Sequence, residues 1–200
     1  MSGKLRAPYG SWKSPITSDL IVAGSVGLSE PVISGNDIYW LEMRPKEAGR
    51  YVVVKRSPDG KTCDVTPAPL NARTRVHEYG GGAVLIDDDT VYFTNFADQR
   101  LYRVCAGNAP EPLSPAADIR FADFVVDRAH SRLITVCEDH TIPGPYPENT
   151  ISALPLTGGS PEILAEGHDF FSTPRISPDG SRLAYLSWDH PDMPWDSSSL

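Results

Sequence analysis

The side chains best able to do chemistry in this chain include five histidines, His77, His130, His140, His168 and His190. None stands in an HxH or HExxH pattern, so a metal centre would have to gather distant ligands, and no metal or other cofactor is expected. Asp139-His140 and Asp189-His190 each set a carboxylate beside an imidazole. Neighbouring residues on a strand point to opposite faces, so these pairs read as separate structural hydrogen-bonding groups, not dyads. The Gly-x-Ser-x-Gly elbow of an α/β-hydrolase is missing, and Gly24-Ser25-Val26-Gly27 has the wrong spacing for it. No catalytic residue is assigned. Asp87-Asp88-Asp89 lacks the spacing and terminal Glu of a calcium loop and reads as a hairpin turn.

The densest polar segment is Arg73-Thr-Arg-Val-His-Glu-Tyr-Gly-Gly-Gly82. Consecutive glycines permit left-handed backbone or close approach, but the phosphate-loop pattern GxxxxGK[ST] is not there. Two readings stay open. The segment is a loop entering the innermost strand of a sheet near a central axis, or Arg73, Arg75, His77 and Glu78 face a tunnel and meet a peptide. Those four are the candidate substrate-binding residues.

The elements that must position them are short strands. Nineteen prolines and sixteen glycines in 200 residues punctuate the chain too often for long helices. Four segments share one pattern of apolar strand, polar turn and β-rich strand: Pro31–Leu41, Gly82–Thr94, Phe121–Val136 and Pro174–Leu186. Aligning Ile38, Val91, Leu133 and Leu183 gives steps of 53, 42 and 50 residues, the size of a four-stranded propeller blade. Further strands follow at Tyr51–Arg56, Arg100–Val104 and Thr150–Leu156. Ser-Pro-Asp-Gly occurs at 57–60 and again at 177–180, where proline, aspartate and glycine each favour a tight turn.

The expected fold is all-β: a partial β-propeller of about three and a half four-stranded blades. Residues 1–16 form a lead-in packed on the first blade, and 17–200 the incomplete propeller. Its blades run over about 17–70, 71–117, 118–166 and 167–200, the last cut short. An open edge of that kind is expected to need a partner segment.

A net charge of -8 without a basic run argues against a nucleic-acid surface. No stretch approaches the roughly 18 apolar residues of a membrane helix. Three widely spaced cysteines, Cys63, Cys105 and Cys137, fit neither a zinc ribbon nor a disulfide framework, which makes a cytoplasmic setting the expectation.

Several segments resemble the propeller of prolyl oligopeptidase family serine peptidases, in the branch of dipeptidyl aminopeptidase and acylaminoacyl-peptidase relatives. The carriers are Ala7–Ile16, Arg75–Gly82, Asn95–Tyr102, Arg120–Asp123, Gly167–Ser172 and Trp188–Asp196. The resemblance implies a propeller that gates peptide access to a Ser-Asp-His triad in a C-terminal α/β-hydrolase domain beyond Leu200. The chain alone is then expected to be inactive, with peptide substrate and the hydrolase domain as its partners. A paired-glutamate motif for a substrate N-terminus is not evident. A non-enzymatic scaffold similar to TolB-type propellers is the alternative.

Overall fold

The computed structural model describes residues 6–11, 13–22, 24–105 and 107–200. Part of the expected lead-in, residues 1–5 and Trp12, therefore lies outside the described residues. Of the rest, Tyr9 and Ile16 are exposed. A single turn of helix, α1 (Ser18–Val22), precedes the sheets.

Four antiparallel sheets follow one another along the chain, each with its strands side by side in chain order. The first holds β1 (Gly27–Ser34), β2 (Asp37–Arg44), β3 (Arg50–Arg56) and β4 (Thr62–Asp64). The second holds β5 (Val84–Asp87), β6 (Thr90–Thr94), β7 (Leu101–Cys105) and β8 (Glu111–Pro112). The third holds β9 (Ile119–Asp127), β10 (Arg132–Asp139), β11 (Glu148–Pro155) and β12 (Glu162–Ala165), and the fourth β13 (Phe170–Ile176) and β14 (Leu183–Trp188). The innermost strands β1, β5, β9 and β13 touch in succession. The described residues form a partial β-propeller of three and a half blades.

The aligned residues occupy equivalent places. Ile38, Val91, Leu133 and Leu183 each start the second strand of a hairpin and face an aliphatic partner on the first: Ile33, Ile86, Val126 and Ile176.

Middle strands are buried on both faces, which explains apolar runs without polar alternation. β6 sends Val91 and Phe93 toward the first blade and Tyr92 toward the third. β10 sends Leu133 and Cys137 toward the second blade, Ile134 and Val136 toward the fourth. Burying each such side chain contributes on the order of 1.5–3 kcal/mol.

Both Ser-Pro-Asp-Gly segments are turns. The Gly60 N–H donates to the Ser57 carbonyl at 2.9 Å, and the Gly180 N–H to that of Ser177 at 2.8 Å. Asp87-Asp88-Asp89 is the β5–β6 turn, and Arg128 of the third blade pairs with Asp87 at 2.6 Å and with Asp88 at 3.1 Å. Ser34 Oγ of the first blade donates to the Asp88 carbonyl at 2.9 Å. One face of the propeller is thus stitched blade to blade through its tight turns.

Near the axis the inner strands bulge at matching places. Glu30, Asp123 and Thr173 have left-handed φ of 51°, 55° and 55° and lie three residues before Ile33, Val126 and Ile176. The Asp123 N–H donates to the Gly82 carbonyl at 2.8 Å, and the Thr173 N–H to Asp123 Oδ2 at 3.0 Å. A Cβ on Gly82 would meet the Asp123 nitrogen at 2.9 Å, so glycine allows the second and third blades this approach.

Candidate functional site

The face opposite the tight turns carries the longer loops, and the segment from Arg73 to Gly82 lies there, between β4 and β5. Its start is fixed by backbone bonds: the Ala72 N–H to the Tyr51 carbonyl at 2.9 Å and the Arg73 N–H to that of Thr94 at 3.0 Å. The Arg73 guanidinium sits 4.9 Å from the centre of the Phe96 ring and 5.6 Å from that of Tyr51. That of Arg75 lies 4.5 Å from Phe96. Both cations therefore stack on rings of the first two blades, a placement that favours guanidinium over ammonium.

Val76 then plugs the core between the third and fourth blades. The next two residues, His77 and Glu78, are both left-handed, with φ of 55° and 64°. Consecutive non-glycine residues in this region are strained and need outside support. Gly80 closes the turn at φ 76°, where a Cβ would stand 2.6 Å from the Thr74 carbonyl oxygen.

Glu138 supplies the support. Its side chain, at the end of β10, is 4% exposed. Oε1 accepts the His77 N–H at 3.1 Å, and Oε2 lies 3.1 Å from Arg120 Nη1 and 3.0 Å from His140 Nε2. Arg120 Nη1 also donates to Glu78 Oε1 at 2.7 Å and to the Arg75 carbonyl at 3.1 Å. The hydrogen bond from Arg120, then its charge, holds the Glu78 carboxyl below the usual range. Burial pushes the His77 imidazole pKa down, against the attraction of Glu138 and Asp123.

His77 meets a chain of rings. Its centroid lies 5.4 Å from Phe170 and 5.5 Å from Trp188, and those two stack at 5.4 Å. Phe170 touches His190 edge-on at 4.9 Å, and Tyr146 lies 5.7 Å from His190. Beside this chain opens a pocket of about 430 Å³ lined by His77, Glu78, Glu138, Tyr146, Asn149 and Phe170, among others. A smaller cavity of about 240 Å³ runs past His77, Gly82 and Asp123 toward the axis. His77 belongs to the wall of both.

A larger cavity, about 560 Å³, lies between the first two blades near Lys55, Asp64 and Cys105. Two of its charges are paired, Lys55 with Asp37 at 2.5 Å and Asp64 with Arg44 at 2.7 Å. We place the site at the His77 pocket, where the strained His77–Glu78 turn, the buried Glu138 and a chain of rings converge.

Of the four sequence candidates, His77 and Glu78 line the pocket, while Arg73 and Arg75 lie behind it on Phe96. Sequence reasoning missed Arg120, Glu138, Asn149, Tyr146 and Phe170, which long-range packing brings in. The adjacent Asp-His pairs form no dyads. His140 turns to Glu138, Asp139 caps Thr141, and His168 reaches across the hairpin to Asp189 at 2.9 Å. Among the described residues no three His, Cys, Asp or Glu side chains are grouped to hold a metal ion, and no helix is long and apolar enough to cross a membrane.

No protein-family profile and no curated protein matches the chain. Solved structures do. A puromycin-hydrolysing peptidase of Mycobacterium tuberculosis matches 98% of this chain at 37% identity and a TM-score of 0.83. A puromycin hydrolase matches 96% at 35% identity, also at 0.83. The chain matches a prolyl oligopeptidase family propeller. It spans about a third of the length of those peptidases, 33% and 32%. TolB of Acinetobacter baumannii shares only the fold, at 15% identity and a TM-score of 0.57, over 84% of this chain and 39% of that one. Four segments that resemble the prolyl oligopeptidase family, Arg75–Gly82, Arg120–Asp123, Gly167–Ser172 and Trp188–Asp196, all contribute side chains to this one face.

Proposed function

We propose that this chain is the propeller part of a serine peptidase, controlling how peptides reach a catalytic α/β-hydrolase domain that these 200 residues do not contain. The observation that carries the reading is 37% identity to a puromycin-hydrolysing peptidase over 98% of the chain. The site supports it. Glu78 and Asp169 line the pocket with the rings of Tyr146, Phe170 and His190, a lining suited to an N–H-rich or cationic peptide end. Puromycin, an aminoacyl amide, is the substrate class the neighbours bring to mind. A cytoplasmic setting suits the three free cysteines. The TolB-like scaffold reading rests on fold likeness alone and ranks second.

The test uses the full-length protein. Turnover of puromycin or a short unblocked peptide amide, abolished by a serine-directed inhibitor, is the expected result. A full-length protein that folds and hydrolyses neither would contradict the proposal.

A further inference from the structure

Arg73 and Arg75 stand outside the pocket, and their setting gives them a use of their own. Both side chains are exposed, and both approach one ring, Phe96, at 4.9 Å and 4.5 Å from its centre. Among the described residues neither guanidinium forms an ion pair, although Arg120 nearby bridges Glu78 and Glu138 and the chain carries 26 acidic residues to 18 basic ones. Two like charges held over one ring repel each other, and an anion beside them relieves that repulsion.

The platform under them is stiff. The Arg73 N–H donates to the Thr94 carbonyl at 3.0 Å, and the Arg75 N–H to Gln99 Oε1 at 2.7 Å. Gln99 Nε2 donates in turn to the Phe96 carbonyl at 2.9 Å, and the Phe96 N–H to the Asn71 carbonyl at 2.8 Å. Loop and ring are thus fastened to the second blade. A guanidinium stacked on a ring gives up water from its face but keeps its in-plane N–H donors, the edge that matches a carboxylate. Side chains ordered in advance lose little freedom on binding.

The pair adjoins the pocket. The Glu78 N–H donates to the Arg75 carbonyl at 2.8 Å, a turn that keeps their Cα atoms within about 7 Å. The Glu78 carboxylate is held by Arg120 at 2.7 Å, which blunts its repulsion of an anion at Arg75. A pair that attracts anions beside a pocket that attracts cations fits a short peptide carrying a charge of each sign.

We propose that Arg73 and Arg75 bind a carboxylate of the peptide whose cationic end enters the His77 pocket, so that this face selects short peptides bearing both charges. This rests on the peptide-binding reading of the pocket and adds the substrate class it favours. The two arginines are binding residues here and take no part in bond cleavage.

The test uses the full-length protein and three peptides with a free amino end: Phe-Ala-Ala, its C-terminal amide, and Phe-Ala-Glu amide, which moves the carboxylate to a side chain. Affinity is read as KM where a peptide is turned over and by calorimetry where it is not. At least one of the two carboxylate peptides should bind about tenfold tighter than the plain amide, the worth of a charge-assisted hydrogen bond, and the one that gains tells terminus from side chain. Salt at about 0.5 M should shrink that ratio. Arg73→Gln and Arg75→Gln together should bring it to about one. Arg73→Lys with Arg75→Lys, which keep the charge without the planar fork, should retain part of it and guard against a folding defect in the glutamine variant. Discrimination without turnover would contradict the peptidase reading and uphold this inference. Equal affinity for all three peptides, or a ratio unchanged in the glutamine variant, would overturn it and leave the arginines a structural role on Phe96. Failure of every peptide to bind would overturn it together with the peptide-binding reading.

Discussion

The two faces of this propeller are built on different terms. On one, the strand-to-strand turns are short and their polar groups satisfied: Gly60 and Gly180 close Ser-Pro-Asp-Gly turns, and Arg128 ties Asp87 and Asp88 to the next blade. On the other, a longer loop carries left-handed His77 and Glu78 over a buried strand carboxylate, Glu138, with three partners, and two buried polar atoms find none among the described residues. The first face spends its residues on repetition. The second accepts strain and unpaired groups, the usual mark of a surface shaped for something other than stability.

Breaking the frame shared by both faces should have the largest effect. Phe93, 0% exposed between the first two blades, is expected to cost about 3–5 kcal/mol when changed to alanine, measured by chemical denaturation. Glu138→Ala should come next, at about 2 kcal/mol, because it removes one of the two carboxylates on Arg120 and leaves the His77 N–H without its acceptor. Glu138→Gln, which keeps an acceptor, should recover part of that loss. A variant as stable as wild type would mean that the site face is not held by this carboxylate.

On the opposite face, Gly180→Ala should cost about 1–2 kcal/mol and exceed Gly60→Ala. Both glycines are left-handed, at φ 72° and 85°, but only at Gly180 would the new Cβ collide with a neighbouring blade, 2.9 Å from Ala129 Cβ. Equal losses would remove the inter-blade contribution. The smallest effect concerns pH. The folded His77 pKa lies below the model-peptide 6.5, so the unfolded chain takes up the proton first. Its contribution is complete above pH 6.5 and is lost as pH falls through the lower folded value. His77→Gln should therefore flatten the melting temperature between pH 7.5 and 5.5 relative to wild type, and an unchanged slope would contradict a buried neutral imidazole.

The frame was legible because it repeats. Ile38, Val91, Leu133 and Leu183 recur with the hairpins they open, and Ser-Pro-Asp-Gly announces its own turns through local backbone preferences. The site was legible only in its loop. Arg73 to Glu78 stood out by composition, but nothing local tells that Arg73 and Arg75 stack on Phe96 while His77 reaches Glu138, 61 residues away. Asn149 carries no signal of its own, and Phe170 stands out only within the family-like segment Gly167–Ser172, since their places at the pocket follow from blade packing.

The most direct test of the site is photo-crosslinking of a short unblocked peptide to the full-length protein, with the labelled residues read by mass spectrometry. Labels should fall on His77, Glu78, Pro145–Pro147, Asp169, Phe170 and His190, in the walls of the His77 pocket. Labels confined to the cavity near Lys55 and Cys105, or to the tight-turn face, would contradict the assignment of peptide binding to this side of the propeller.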